Sequence, residues 1–147
     1  MQLPRGITGF CMSGDPPLPA TDIVAFKALA YAAARLLNAS VVRCDTTPDP
    51  ARSFHIITLQ TRETRYSLLG HTIHPVVAWT LADAMRFIDM PALVECAHEF
   101  GFQTYPAAFL DTPLDPAYLT NLAPVERREI KSWRPQRMGD VIFNFWD

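Results

Sequence analysis

The last seven residues constrain the fold more than any other part of the chain. Residues 141–147 read VIFNFWD and include five large apolar side chains, whereas chain ends are usually polar and frayed unless they are tied into the fold. Burying one such side chain stabilises a protein by roughly 1.5–3 kcal/mol. The segment could therefore contribute on the order of 7–15 kcal/mol, as an upper bound. We predict that residues 141–146 form a buried C-terminal strand of the sheet.

The composition is that of an ordinary globular domain. The chain has 147 residues, of which 49% are hydrophobic and 19% charged, enough for one domain with its own core. Its net charge of −2 gives no overall field that would attract nucleic acid or an anionic membrane. No apolar run approaches the roughly 20 residues of a membrane span. The scattered cysteines Cys11, Cys44 and Cys96 fit reduced thiols, so we expect a cytoplasmic protein.

Helical periodicity is clearest after Asp22, which can cap a helix that Asn38 can end. Short runs of β-branched and aromatic residues then predict strands at 40–44, 53–61, 64–70 and 75–81, after a shorter one at 7–11. The strands at 53–61 and 64–70 should form a hairpin. The predicted helix should pack closely on the sheet through apolar residues at helical spacing: Ile23, Phe26, Ala30, Ala33 and Leu37.

The second half of the chain alternates helix starts with short apolar runs. A second helix should begin near Asp89 and end at Gly101. Residues 103–110 suggest an edge strand, because Pro106 interrupts them. Asp115-Pro116 and Ala123-Pro124 each favour a further helix start. The order of elements predicts a single α+β domain over residues 1–147, with a mostly antiparallel sheet, three to four helices and the buried C-terminal strand.

Histidine and cysteine provide the candidate reactive groups. His71 and His74 precede a strand, in which positions three apart point to opposite faces, so ordinary hydrogen bonds are favoured over a metal site. Cys11 lies in a glycine-containing loop, and His55 alternates with apolar neighbours along a strand. The usual nucleophile-elbow, phosphate-loop, dinucleotide and zinc-protease motifs are absent from the sequence. We therefore expect no metal and no cofactor, although a pocket that uses His55, His71, His74 or Cys11 stays open as an alternative.

The densest charge in the chain is a cationic cluster near its end. Five cations fall within eleven residues, and such a patch could meet an acidic protein surface or phosphates. Only one aromatic residue, Trp133, lies among them, which is thin for single-stranded nucleic acid. The alternative is a solvated helix face whose cations favour its C-terminal end. The candidate binding residues are Arg127, Arg128, Lys131, Arg134 and Arg137.

The segment 131–147 resembles the end of small bacterial immunity proteins of polymorphic-toxin systems. The likeness lies in Lys131-Ser132-Trp133-Arg134-Pro135 and in the stretch from Gly139 to Asp147. It implies a cytoplasmic inhibitor that occupies the active site or substrate surface of a cognate toxin. We accordingly expect a module that binds another protein, with a small-molecule-binding protein or an enzyme as the alternative.

Overall fold

A six-stranded, mostly antiparallel sheet forms the centre of the computed structural model, which describes residues 2–9, 20–47, 52–82 and 86–144. Four strands are antiparallel neighbours in chain order. The outer edge of the fourth is covered by two short strands, of which β5 is antiparallel and β6 parallel to it. The predicted α+β class is thereby confirmed, although β5 was not predicted. The strands are β1 (Ser40–Asp45), β2 (Phe54–Gln60), β3 (Arg65–His71), β4 (Val76–Leu81), β5 (Arg86–Ile88) and β6 (Gln103–Thr104).

One face of the sheet is covered by α1 (Ile23–Leu37) and α2 (Val94–Glu99). The Asp22 side chain accepts a hydrogen bond from the Ala25 N–H, and Asn38 ends α1 in the left-handed conformation, with a φ of 55°. Both ends of the predicted first helix are confirmed. Its buried residues pack against the sheet and α2 in the first hydrophobic core: Phe26, Leu29, Ala30, Ala33 and Ala34.

The other face carries the N-terminal segment 3–9 and the helices of the second half. These are α3 (Ala107–Leu110), α4 (Pro124–Trp133) and α5 (Met138–Ile142), with a 3-10 turn at Pro116–Tyr118. The described residues thus contain five α-helices, against the three to four predicted. One of the additional helices, α3, lies in the region predicted as one edge strand: β6 ends at Thr104, and Pro106 is the N-cap residue of α3. A second hydrophobic core, with Leu3, Ile7, Phe54, Leu69 and Phe143 among its members, fills this face.

The predicted C-terminal strand is not confirmed. Val141 and Ile142 belong to α5, whose first turn is held by an Asp140 Oδ2 that accepts from the Arg137 N–H at 3.1 Å. Burial was the correct part of the prediction, because residues 141–144 are all buried. Short apolar runs do not distinguish a buried strand from a buried helix. Residues 145–147 lie outside the described part of the chain.

The N-terminal segment also differs from its prediction. Ile7, Thr8 and Gly9 lie in turns, not in a strand, and the remainder of the predicted strand, Phe10 and Cys11, lies outside the described residues. Leu3 and Ile7 are nevertheless fully buried. The segment is therefore held in the second core by side chains, and its polar contacts belong to the description of the site.

Candidate functional site

Three of the five predicted cations line one groove, and the other two do not. Arg127, Lys131 and Arg134 line a groove of about 600 Å³ beside α4. Arg128 is exposed on the same helix but does not line the groove. Arg127 and Lys131 lie at positions i and i+4 of α4, on one face of the helix, and Arg134 is the C-cap residue that ends it in the left-handed conformation. We call this surface the α4 groove.

Arg137, the fifth predicted cation, is partly exposed but is paired with two carboxylates. Its guanidinium donates to Asp140 Oδ1 at 2.9 Å and to Asp111 Oδ1 at 3.1 Å, and it lies 5.2 Å from the ring centroid of Phe87. The hydrogen bond to Asp140 raises the pKa of Arg137 above its ordinary value. These contacts hold the start of α5 against α3 and β5, so Arg137 is a packing residue in this structure.

The second wall of the α4 groove is brought in by a short backbone bridge. Pro113 pairs with Arg137 in an antiparallel bridge, in which the Leu114 N–H donates to the Gln136 carbonyl at 3.0 Å and the Met138 N–H to the Thr112 carbonyl at 2.9 Å. The bridge places the segment 113–119 beside the C-terminal half of α4. The apolar part of the lining consists of Pro113, Leu114, Pro116, Leu119, Ile130 and Pro135.

The cations of the α4 groove are exposed, and no carboxylate of the described residues forms an ion pair with them. Within the described residues, no carboxylate oxygen lies within 4.0 Å of the charged nitrogens of Arg127, Lys131 or Arg134. Attraction to the negative C-terminal end of a helix explains a cation such as Lys131 in the last turn. It does not explain Arg127, which is the fourth residue of α4 and lies near the positive end. The groove therefore combines an apolar lining with uncompensated positive charge.

A buried carboxylate fixes the orientation of α4. Glu126 is 0% exposed and accepts four hydrogen bonds: from the Gly6 N–H at 2.9 Å, the Thr8 N–H at 3.2 Å, the Thr8 hydroxyl at 2.6 Å and the Ala123 N–H at 3.1 Å. Glu126 points into the protein, and Arg127, about 100° further around the helix, lines the groove. The position of Glu126, three residues after Ala123, predicts only the hydrogen bond at the start of the helix. The other three hydrogen bonds come from donors 118 to 120 residues away in the sequence.

His71 and His74 are close together, but their nitrogens hold the N-terminal segment. Their ring centroids are 5.6 Å apart. His71 Nδ1 accepts from the N–H groups of Ile73 and His74 at 3.0 and 3.1 Å, so its Nε2 carries the proton and donates to the Ile7 carbonyl at 2.6 Å. His74 Nε2 lies 2.7 Å from the Arg5 carbonyl. Burial lowers the pKa of His71 to about 4, so the ring is neutral at physiological pH.

The other members of the alternative histidine pocket do not join this pair. Neighbouring residues of a strand alternate between faces, and His55 lies on the α1 face, with its ring centroid 6.1 Å from that of Phe26. His71 instead contacts Phe143 in the second core. Burial lowers the pKa of His55 as well. Cys11 lies outside the described residues, which contain no group of three metal-ligating side chains.

A second groove of about 420 Å³ lies between α1 and α2. Its charged lining residues are of mixed sign, namely Arg35 with Glu95 and Glu99. The thiol of Cys96 also lines it, but burial raises the pKa of this thiol, which disfavours the reactive thiolate. This α1–α2 groove therefore offers neither a single-sign surface nor an activated nucleophile.

Comparison with known proteins adds no relative: no family model, no curated protein and no solved structure matches the chain. The resemblance of the C-terminal segment to immunity proteins has no counterpart among these results. In the described part of the chain, each helix is too short or too polar to cross a lipid bilayer. The α4 groove is consequently interpreted from its own chemistry.

Proposed function

We propose that the protein binds another protein by holding an acidic segment of its partner in the α4 groove. One observation carries the proposal: three cations that have no carboxylate partner among the described residues border an apolar surface. Carboxylates of a partner would complement these charges, and its aliphatic side chains would cover Leu114 and Leu119, which are only partly buried. Electrostatic complementarity of this kind favours the correct partner and speeds its association.

The lining favours polypeptide over nucleic acid as the occupant. Proteins that hold single strands use aromatic side chains as stacking platforms, and the described residues that line the α4 groove include none. Three cations also provide little neutralisation for a phosphate backbone, in a chain whose net charge is −2. Aliphatic and proline side chains suit the apolar side chains of a peptide.

The volume indicates how the partner is held. About 600 Å³ falls in the range of sites that enclose a small ligand, which corresponds to a few side chains of a larger protein. A few well-placed anchor residues carry most of the binding energy in protein interfaces. We therefore expect a short acidic segment with one or two aliphatic anchors to retain measurable affinity by itself.

Selection from a random peptide library tests the proposal with a variant of the groove and a control variant on the same helix. The test protein carries Arg127→Glu and Lys131→Glu; the control carries Arg128→Glu, a change of the same type on the same helix but outside the groove. Peptides selected by the unaltered protein should be rich in Asp and Glu with aliphatic residues between them. Their affinity should fall about tenfold or more in the double variant and change less than twofold in the control.

Two results would contradict the proposal. Peptides that bind the double variant as tightly as the unaltered protein would show that the α4 groove is not the binding surface. If no acidic peptide is selected although circular dichroism shows both proteins to be folded, the groove does not bind an acidic segment.

In its more specific form, the proposal is that of a cytoplasmic immunity-type inhibitor, in which the acidic segment belongs to a cognate toxin. Only the resemblance of residues 131–147 supports this form. Co-production with the product of the adjacent gene tests it, because the protein should restore growth to cells that the neighbouring product arrests. The Arg127→Glu and Lys131→Glu variant should not restore growth, whereas the Arg128→Glu control should. A neighbouring product that does not affect growth would contradict the inhibitor form.

A further inference from the structure

We infer that the segment held in the α4 groove is an α-helix, with acidic residues along one side and aliphatic residues along the other. The inference rests on the proposed function and adds the conformation of the partner segment. It follows from two features of the groove: its walls have almost no backbone donors to offer, and its cations are spaced along a helix.

The backbone N–H groups of the groove are, with one exception among the described residues, already bonded within the protein or absent. Pro113, Pro116 and Pro135 have no N–H. The N–H groups of Leu114 and Leu119 donate to Gln136 and Pro116, and those of Arg127 and Arg134 donate to Ala123 and Ile130. Ile130 and Lys131 lie inside α4, where the N–H groups bond to the preceding turn. Among the described lining residues this leaves only the Gln136 N–H without a backbone acceptor.

A partner segment in extended conformation would need more backbone donors than the Gln136 N–H. A strand added to an existing structure is held by main-chain hydrogen bonds, which require donors and acceptors that alternate along the wall. One N–H cannot provide such a ladder, and the unpaired groups of an extended peptide would lose solvent without compensation. A helix satisfies its backbone internally, so the groove needs to recognise only its side chains.

The spacing of the groove-lining side chains on α4 fits a helical neighbour. Arg127, Ile130 and Lys131 occupy positions i, i+3 and i+4 of α4, the pattern of a helix face that packs on another helix. Arg134 follows as the C-cap residue of α4, in the left-handed conformation. From Arg127 to Lys131 the helix rises about 6 Å, which is close to one turn. Carboxylates on successive turns of a partner helix recur with the same rise, and aliphatic residues beside them would face Leu114 and Leu119.

Two synthetic peptides test the inference directly. The first is a 15-residue Leu/Glu/Ala peptide, with Leu at the a and d positions and Glu at the c and g positions of the heptad, so that carboxylates recur on successive turns along one side. A side-chain staple on the f position face holds it helical. The second has the same sequence without the staple and with proline at the central f position, where proline breaks a helix. Fluorescence anisotropy with the full-length protein then gives both dissociation constants.

We expect the helical peptide to bind at least about tenfold more tightly than the proline peptide, because preorganisation lowers the ordering cost of binding. This affinity should fall in the Arg127→Glu, Lys131→Glu variant and not in the Arg128→Glu control. Equal affinity of the two peptides would overturn the helical occupant while leaving the proposed function intact. Binding by library-selected acidic peptides but not by the stapled peptide would overturn it too, whereas failure of both peptide sources would remove the proposed function itself.

Discussion

Glu126 connects α4 to a segment at the opposite end of the chain. Its carboxylate is fully buried and accepts bonds from both Gly6 and Thr8. A buried carboxylate is tolerated when hydrogen bonds satisfy its oxygens, and here four donors do so. The same residue also directs the cationic face of α4 outward into the groove, so it serves stability and the site together.

Replacing Glu126 with Gln should destabilise the protein by on the order of 3 kcal/mol, because an amide N–H₂ then faces donors that lose their acceptor. Urea unfolding at pH 7 measures the change in the free energy of unfolding. Glu129→Gln on the same helix is the matched control, since Glu129 receives no hydrogen bond from the described residues. Equal stability of the two variants would contradict the role given to Glu126.

His71 should make the stability of the protein depend on pH. Its pKa is lowered by burial from an ordinary value of 6.5 to about 4, so the unfolded chain binds a proton more readily than the folded protein. The contribution of His71 is present above pH 6.5 and is lost as the pH falls from 6.5 to 4, by about 3 kcal/mol in total. His55, whose pKa burial also lowers, acts in the same direction.

Urea unfolding at several pH values measures the effect of His71. The decline of stability between pH 6.5 and 4 should be smaller in His71→Gln than in the unaltered protein, whatever the stability of the variant at pH 7. His98→Gln, at an exposed position of α2, should retain the original decline. An unchanged slope in His71→Gln would show that protonation of this ring does not oppose folding.

At the scale of elements, the spacing between α1 and the sheet depends on one glycine. A Cβ atom at Gly70 would lie 2.4 Å from Phe26 Cε1 and 2.6 Å from Phe26 Cδ1. The Phe26 ring is fully buried and contacts Phe102 edge-on, so it has little room to move. The absence of a side chain on β3 thus allows the helix to approach the strand closely.

Gly70→Ala should therefore cost roughly 1–3 kcal/mol, as overpacked cores do, and thermal or urea unfolding measures it. A double variant with Phe26→Leu provides the control, because a smaller side chain at position 26 should relieve part of the clash. The two changes should then be less destabilising together than the sum of the single changes. If the two destabilisations simply add, the missing side chain of Gly70 does not serve to make room for the Phe26 ring.

Local signals in the sequence predicted some elements well and others poorly. Both ends of α1 were predicted from Asp22 and Asn38, because a cap is determined by residues within one turn. The strand predicted at the C-terminus is a helix through Ile142, since an apolar run has no period that separates the two structures. The α4 groove could be predicted only in its cations: Leu114 and Leu119 reach it through the bridge between Pro113 and Arg137, a contact that no local pattern signals.

At the scale of the whole molecule, the two faces of the sheet have different characters. The α1 face is closed by two helices over a core that is almost entirely apolar. The opposite face is assembled from separate pieces, which buried polar side chains hold together: Ser53, His71, Glu126 and Asn144. The α4 groove belongs to this assembled face, so its geometry depends on contacts between distant parts of the chain.

Nuclear magnetic resonance titration of the ¹⁵N-labelled protein with the stapled Leu/Glu peptide tests the central claim most directly. If the α4 groove is the binding surface, the amide signals of the non-proline residues in 114–119 and 127–136 should shift with peptide concentration. Those around the α1–α2 groove, including Arg35 and Glu95, should stay in place. Shifts centred on the α1–α2 groove, or no shifts at any residue, would contradict the account.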